Sequence, residues 1–154
     1  MKKNSWEIDY IDYYLEVDWA ISRNKTSKKR NYLVKINGEV FAEFAPNIHF
    51  GEDHQQVSLM ASKICHILNS LENENQILKF CDQSRLEGHF FNSILAGVEM
   101  ACLNFYELWP SFVQDMTHSC ETSISVPILD ENEFDNYAEL MNLWDFNLIK
   151  LKVN

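Results

Sequence analysis

Hydrophobic and polar positions alternate over the first part of the chain, which is the pattern of strands with one buried face. Residues 6–21 are rich in aromatic and branched side chains and predict one long strand. The polar residues 22–31 predict a loop, and residues 32–36 and 39–44 predict two further strands. Asn37-Gly38 between the last two is the strongest short hairpin signal. The three strands together predict an antiparallel meander.

The period of the apolar positions changes to three and four residues after Asp53, as on one face of a helix. One helix is predicted from Asp53, which is placed to cap it, and a shorter helix over residues 75–81. A third helix is predicted over residues 91–109 and ends before Pro110. Gly97 in this helix either weakens it or lets a neighbouring element approach closely.

The end of the chain predicts a strand, a helix and a strand, over residues 122–128, 131–144 and 146–153. This is about the size of a right-handed βαβ crossover, whose two strands are parallel. Parallel strands are normally buried on both faces, so further structure is expected beside this unit. The predicted fold class is α+β: a three-stranded meander, a helical segment, then one βαβ unit.

The composition of the chain limits the structural and functional classes to which it can belong. The chain has 154 residues, is 46% hydrophobic and carries a net charge of -10, which indicates a packed globular interior and excludes nucleic acid as a partner. Four cysteines without a C-x-x-C pair, and the lack of an apolar run for a signal peptide or membrane span, predict a cytoplasmic protein that does not enter a membrane. Five basic residues form a local patch that could meet an anion or remain a solvated loop: Arg23, Lys25, Lys28, Lys29 and Arg30.

Three segments, in the right order, resemble the enolase superfamily. Residues 41–52 resemble the family's G-E-x-A-P-N-x-x-Y-G-E segment after the third strand, and residues 97–101 its A-x-E-M-A helix, with Gly97 in place of the first alanine. Residues 146–153 resemble the strand that ends in K-x-K in the muconate-lactonizing subgroup. The sequence of the first segment resembles dipeptide epimerases slightly more than o-succinylbenzoate synthases. The family's G-K-x-x-G-x-P-L region is replaced at residues 104–114.

The resemblance implies a capping domain over residues 1–117, with the meander at about 6–45 and helices at about 53–110. Residues 118–154 would then begin a (β/α) barrel and leave it incomplete. In this family the aspartate and glutamate ligands of Mg lie at the ends of later barrel strands, so no metal site is carried over to this chain. A mandelate racemase/muconate lactonizing enzyme-like isomerase or lyase is implied for a complete enzyme. We expect the chain alone to be inactive, and to form a homo-oligomer or join a chain that complements the barrel.

Residues two apart on a strand point to the same side, so Lys150 and Lys152 would face the barrel interior near its mouth. Two neighbouring ammonium groups repel each other, which favours the neutral form of one lysine and lets it act as a base. The resemblance implies that Lys152 moves a proton at the carbon next to a carboxylate of a small substrate. It implies that Lys150 tunes Lys152 and helps hold that carboxylate. Arg23 and Lys25, in the predicted loop, would contact an anionic group of the substrate.

Other interpretations stay open at this point. Judged without the family, a Lys-x-Lys pair is commonly the solvent-facing edge of a strand. The metal-ligand residue types around Glu52 and Asp53 are also explained by a loop that leads into a capped helix. A non-catalytic binding or structural protein derived from a capping domain is the main alternative function. An unrelated acidic α+β protein is the third.

Overall fold

The computed structural model describes residues 4–21, 24–109 and 121–153. The elements, in chain order, are β1 (Trp6–Ile21), β2 (Asn24–Ile36), β3 (Glu39–Phe44), α1 (His54–Leu68), α2 (Glu74–Glu87), α3 (Asn92–Phe105), β4 (Ser123–Val126), α4 (Glu131–Leu140) and β5 (Leu148–Leu151). The first three strands form an antiparallel sheet in the order β1-β2-β3, and β4 pairs with β5 in parallel. The predicted α+β fold class is therefore confirmed.

The chain divides into two compact units. The first contains Met1–Ile11 and Arg30–Asp115, and the second contains Asp12–Lys29 and Met116–Asn154. Both long strands, β1 and β2, thus contribute residues to both units. The predicted domain boundary between residues 117 and 118 lies outside the described residues, as does Pro110, so that boundary stays a prediction.

Local sequence signals explain the β2–β3 turn and the start of helix α1 in the first unit. Asn37 and Gly38 both take positive φ angles, 56° and 87°, and bring Ile36 opposite Glu39 in a tight β2–β3 hairpin. The predicted turn is confirmed. Asp53 caps α1 by accepting hydrogen bonds from the backbone N–H groups of the second and third residues after it, at 2.9 and 3.0 Å.

The core of the first unit lies between the sheet and the three helices. Its buried members alternate along β2 and recur at steps of three and four along the helices, and include Tyr32, Val34, Ile36, Val57, Ile64, Leu68, Ile94, Leu95 and Val98. Helix α3 packs closely on β3 at Gly97, where an added Cβ would lie 2.5 Å from Cδ1 of Phe44. Of the two roles considered for this glycine, the close approach is the one that the structure shows.

Strand β2 begins at Asn24, so the prediction of a loop over residues 22–31 was wrong for most of its length. Several basic side chains of this stretch are held by partners on β1. Lys28 Nζ lies 2.7 Å from the carboxylate of Asp12, and the guanidinium of Arg30 lies 3.9 Å from the centre of the Tyr10 ring. These contacts give a polar segment a reason to stay extended.

Two helix ends also differ from the predictions. Helix α2 continues past residue 81 to Glu87 and ends where Gly88 takes a left-handed conformation. Helix α3 ends at Phe105 rather than near residue 109, and Glu107 beyond it has a φ of 53°. None of the helices in the described ranges is both long and apolar enough to cross a membrane.

The second unit contains the predicted parallel strand pair. In its register Ser123 faces Leu148 and Ser125 faces Lys150, and the backbone N–H of Lys152 donates to the carbonyl of Val126 at 3.0 Å. Asp130 immediately precedes helix α4 and forms a capping box with Glu133. All three elements are shorter than predicted, and α4 ends before Asn142, whose left-handed φ of 47° stops the helix.

Candidate active site

The orientation of Lys150 follows from the packing of helix α4. Ile124 and Val126 of β4 belong to the same apolar cluster as Tyr137 and Ala138 of α4. Because successive side chains of a strand alternate between its faces, Ser123 and Ser125 lie on the face opposite α4. Lys150 is paired with Ser125 in a parallel ladder and therefore lies on that same face.

Lys152 continues this face at the carboxyl end of β5. It follows Lys150 by two residues, and its hydrogen bond to the Val126 carbonyl shows that strand pairing extends to it. Lys150 is exposed and Lys152 is half-buried. In a barrel of alternating strands and helices the helices are outside and active sites lie at the carboxyl ends of the strands. Both lysines thus lie on the face that such a barrel turns inward, at the end where its active sites form.

The end of the β1–β2 hairpin belongs to the same unit. The carbonyl of Ala20 accepts a hydrogen bond of 2.9 Å from the N–H of Ile128, which follows the carboxyl end of β4. Val17 packs against the apolar cluster formed by β4 and α4. Lys25 therefore lies at the same end of the strand pair as Lys152, although on strand β2 rather than in a loop. Arg23 lies outside the described residues.

Lys25 already has a carboxylate partner. Its Nζ lies 3.1 Å from Oδ2 of Asp18 on β1. The hydrogen bond and the charge of Asp18 raise the pKa of Lys25 above its ordinary value, and the carboxylates of Glu133 and Asp130 add to this. Lys25 is therefore firmly cationic, but a substrate anion would have to compete with Asp18 for it.

The described residues do not offer a metal centre. No group of three or more His, Cys, Asp or Glu side chains within residues 4–21, 24–109 and 121–153 is placed to hold an ion. The carboxylate of Glu52 is buried, and it accepts hydrogen bonds from the backbone N–H groups of Asn47, at 2.7 Å, and of Ser93, at 3.4 Å. Asp53 caps α1. These two carboxylates are thus accounted for by structural roles.

Sequence reasoning did not single out Ser125. The alternation Ser123-Ile124-Ser125-Val126 contained the necessary signal, because it marks one polar and one apolar face on β4. The pairing of Ser125 with Lys150 could not be predicted, because the sequence of neither strand determines the register across a helical crossover.

No protein-family model and no curated protein matches the chain. Solved structures do match it. The dipeptide epimerase from Enterococcus faecalis V583, complexed with Mg and the dipeptide L-Leu-L-Tyr, is 20% identical, with a TM-score of 0.68 over 100% of this chain and 46% of that one. The mandelate racemase/muconate lactonizing protein from Herpetosiphon aurantiacus is 20% identical, with a TM-score of 0.67 over 95% of this chain and 43% of that one. The L-Ala-D/L-Glu epimerase from Bacillus subtilis is also 20% identical, with a TM-score of 0.64 over 99% and 45%.

The chain has the fold of the N-terminal part of these enzymes. The predicted resemblance to the enolase superfamily is thereby confirmed at the level of the fold, with the meander and helices matching its capping domain and the parallel pair the start of its barrel. The chain spans less than half the length of the structures it matches. An identity of 20% shows the fold and leaves activity and substrate to be proposed.

Proposed function

We propose that this chain supplies the capping part and the first two barrel strands of a Mg-dependent enolase-superfamily racemase, epimerase or lyase. In this proposal the complete enzyme removes a proton from the carbon next to a carboxylate of a small substrate. The remaining barrel would come from further sequence or from a complementing chain. By itself the chain would lack a complete site.

The observation that carries the proposal is the placement of Lys150 and Lys152 on the face opposite α4, at the carboxyl end of β5. A solvent-facing strand edge would explain a Lys-x-Lys pair in an open sheet. Here the same face is the one that a barrel encloses, given the parallel pairing and the helix on the other side. A lysine ammonium at the mouth of a barrel is suited to a substrate that carries a carboxylate, and a second lysine beside it can serve as a base.

The two lysines would divide the work. The Lys152 amine, when neutral, would accept the proton released from the carbon next to the carboxylate. The Lys150 ammonium would hold that carboxylate. Arg23 and Lys25 would contact a second anionic group of the substrate. The described residues do not fit a magnesium site, so the ligands of the metal would come from later barrel strands.

Structures with this fold support dipeptides as the substrate class. The Enterococcus faecalis enzyme is complexed with L-Leu-L-Tyr, and the Methylococcus capsulatus enzyme with L-Arg-D-Lys. Both of these complexes also contain Mg. A dipeptide carries an α-proton next to its terminal carboxylate, which is the chemistry that the lysine pair suits.

The test begins with the coding sequence downstream of Asn154. We expect an open frame that supplies further βα units with Asp or Glu at strand ends, or a separate chain that does so. The assembled protein, given Mg and a panel of dipeptides in deuterated water, should exchange the substrate α-proton. Lys152→Ala should abolish exchange, while Lys63→Ala on α1 should not. A downstream sequence without such carboxylates, or an assembled protein without exchange, would refute the proposal and favour a non-catalytic role.

A further inference from the structure

Strand β1 is the outer strand of the first sheet, and in the described part of the chain its far edge has no partner strand. Ser5, directly before β1, turns its carbonyl toward the β2–β3 turn and accepts a hydrogen bond of 2.8 Å from the N–H of Asn37. Successive residues of an antiparallel strand direct their backbone N–H and C=O groups to alternate edges. Those of Trp6, Ile8 and Tyr10 therefore point to the free edge.

A side-chain amide already occupies the first positions of this edge. The N–H of Trp6 donates to Oδ1 of Asn69 at 2.7 Å, and Nδ2 of Asn69 donates to the Trp6 carbonyl at 3.4 Å. A residue of an added antiparallel strand would make the same two hydrogen bonds. The next N–H along the edge, that of Ile8, is directed at the thiol of Cys65, which is a weak acceptor. The edge thus binds a peptide-like group at its start and continues from there toward Tyr10.

A groove of about 590 Å³ lies beside this edge, between β1 and α1. This volume is within the range of clefts that bind ligands, about 300–1,000 Å³. The wall that α1 contributes includes short side chains, those of Ser58, Ala61, Ser62 and Cys65. The Tyr10 side chain points to the same side of the sheet as α1 but is 57% exposed. The groove therefore has room for a further side chain next to Tyr10.

The opposite face of this edge is acidic. Glu7 and Asp9 alternate with Tyr10 and so project to the face away from α1. Lys35 pairs with Asp9 at 2.5 Å, and its pKa is raised by this hydrogen bond and charge and, to a smaller extent, by the charge of Glu7. One base thus faces two acids there. Arg30 lies on the helix side, with its guanidinium 3.9 Å from the centre of the Tyr10 ring. Basic side chains of an added strand would be favoured on the acidic face.

We propose that this edge of β1 binds an extended segment of a partner protein as a fourth, antiparallel strand, and that basic residues alternate with apolar ones in that segment. Residues opposite Ile8 and Tyr10 would project into the groove and would be apolar. Those between them would lie beside the two acids and would be basic. In this mode of recognition, backbone hydrogen bonds give affinity and alternate side chains give specificity. The site lies within the first unit and uses neither lysine of the candidate active site.

The peptide acetyl-Lys-Val-Lys-Val-Lys-amide is a suitable probe, and it can be titrated by NMR into the isotope-labelled 154-residue chain. We expect saturable shifts of the amide resonances of Ile8 and Tyr10. In an antiparallel strand with valine opposite Tyr10, the valine N–H groups face β1 and the lysine N–H groups face away. Methylating both valine N–H groups should weaken binding by about tenfold or more, whereas methylating two lysine N–H groups should change it less than about threefold. The same peptide with glutamate in place of lysine should bind by about fivefold or more less tightly.

Variants of the chain test the groove and its charge separately. Ser62→Phe fills the groove and should weaken binding by about tenfold. Gln56→Phe adds the same ring at another exposed position of α1, outside the groove, and should leave the affinity unchanged. Glu7→Gln should weaken binding by about twofold to fivefold at low salt. Backbone amide spectra would show that each variant keeps the fold.

Three results would overturn the proposal. One is the absence of saturable shifts at Ile8 and Tyr10 with millimolar peptide. Another is an equal loss of affinity when valine or lysine N–H groups are methylated, because strand addition depends on one set only. The third is a dimer of the unaltered chain in sedimentation, with the Ile8 and Tyr10 amides protected from exchange and not released by the peptide. In that case the edge would be an interface between two copies.

Discussion

Replacing Gly97 with alanine would test how tightly α3 packs on β3. The added Cβ would lie 2.5 Å from Cδ1 of Phe44, closer than real Cβ atoms approach, and 3.1 Å from its Cγ, which is also a tight contact. The Phe44 ring is buried and stacked on Tyr32, with 5.3 Å between ring centres, so it has little room to move. Overpacking costs about 1–3 kcal/mol, while alanine is favoured over glycine inside a helix by about 1 kcal/mol. We expect a net loss of about 1 kcal/mol in unfolding free energy.

Urea unfolding followed by circular dichroism would measure this loss. Ala96→Gly, at the adjacent exposed position of α3, measures helix propensity alone and should cost about 1 kcal/mol. In a Phe44→Leu background the clash is relieved, so Gly97→Ala should cost less there than in the unaltered chain, which a double-mutant cycle would show as coupling. The packing argument is refuted if Gly97→Ala stabilises the unaltered chain by the full propensity gain.

Two further predictions concern buried groups. Glu52→Gln should lower the unfolding free energy by about 1–2 kcal/mol, and with it the urea midpoint. The reason is that charge-assisted hydrogen bonds to the N–H groups of Asn47 and Ser93 are weakened. Burial raises the pKa of Cys81 to about 12 and that of Cys102 to about 11. The unfolded chain releases these protons from about pH 9, so the folded state should lose stability as the pH rises from there towards 11 and 12. A chain with both cysteines replaced by alanine should show a shallower alkaline slope, and an unchanged slope would contradict this.

Local signals predicted the elements whose stability depends on neighbours in sequence. The Asn37-Gly38 turn needs only two residues that tolerate positive φ, and the α1 cap needs only Asp53 and the N–H groups next to it. The first part of β2 is different. Lys28 is held by Asp12, a residue on the neighbouring strand, and by its position over the Tyr14 ring. A basic loop and a basic strand that pairs with acidic residues have the same sequence pattern, and only the partner strand distinguishes them.

The partners of the basic patch also change what it can contribute to substrate binding. The sequence shows five bases in one stretch and suggests a free cationic site at Lys25. The structure places Asp18 on Lys25 and Asp12 on Lys28, so part of this charge is balanced within the hairpin. In the described part of the chain Lys150 and Lys152 have no carboxylate partner of this kind. A carboxylate that approached this end of the strand pair would not have to displace a resident anion at β5, as it would at Lys25. The lysine pair is therefore the stronger candidate for the primary carboxylate contact, and the hairpin end for a secondary one.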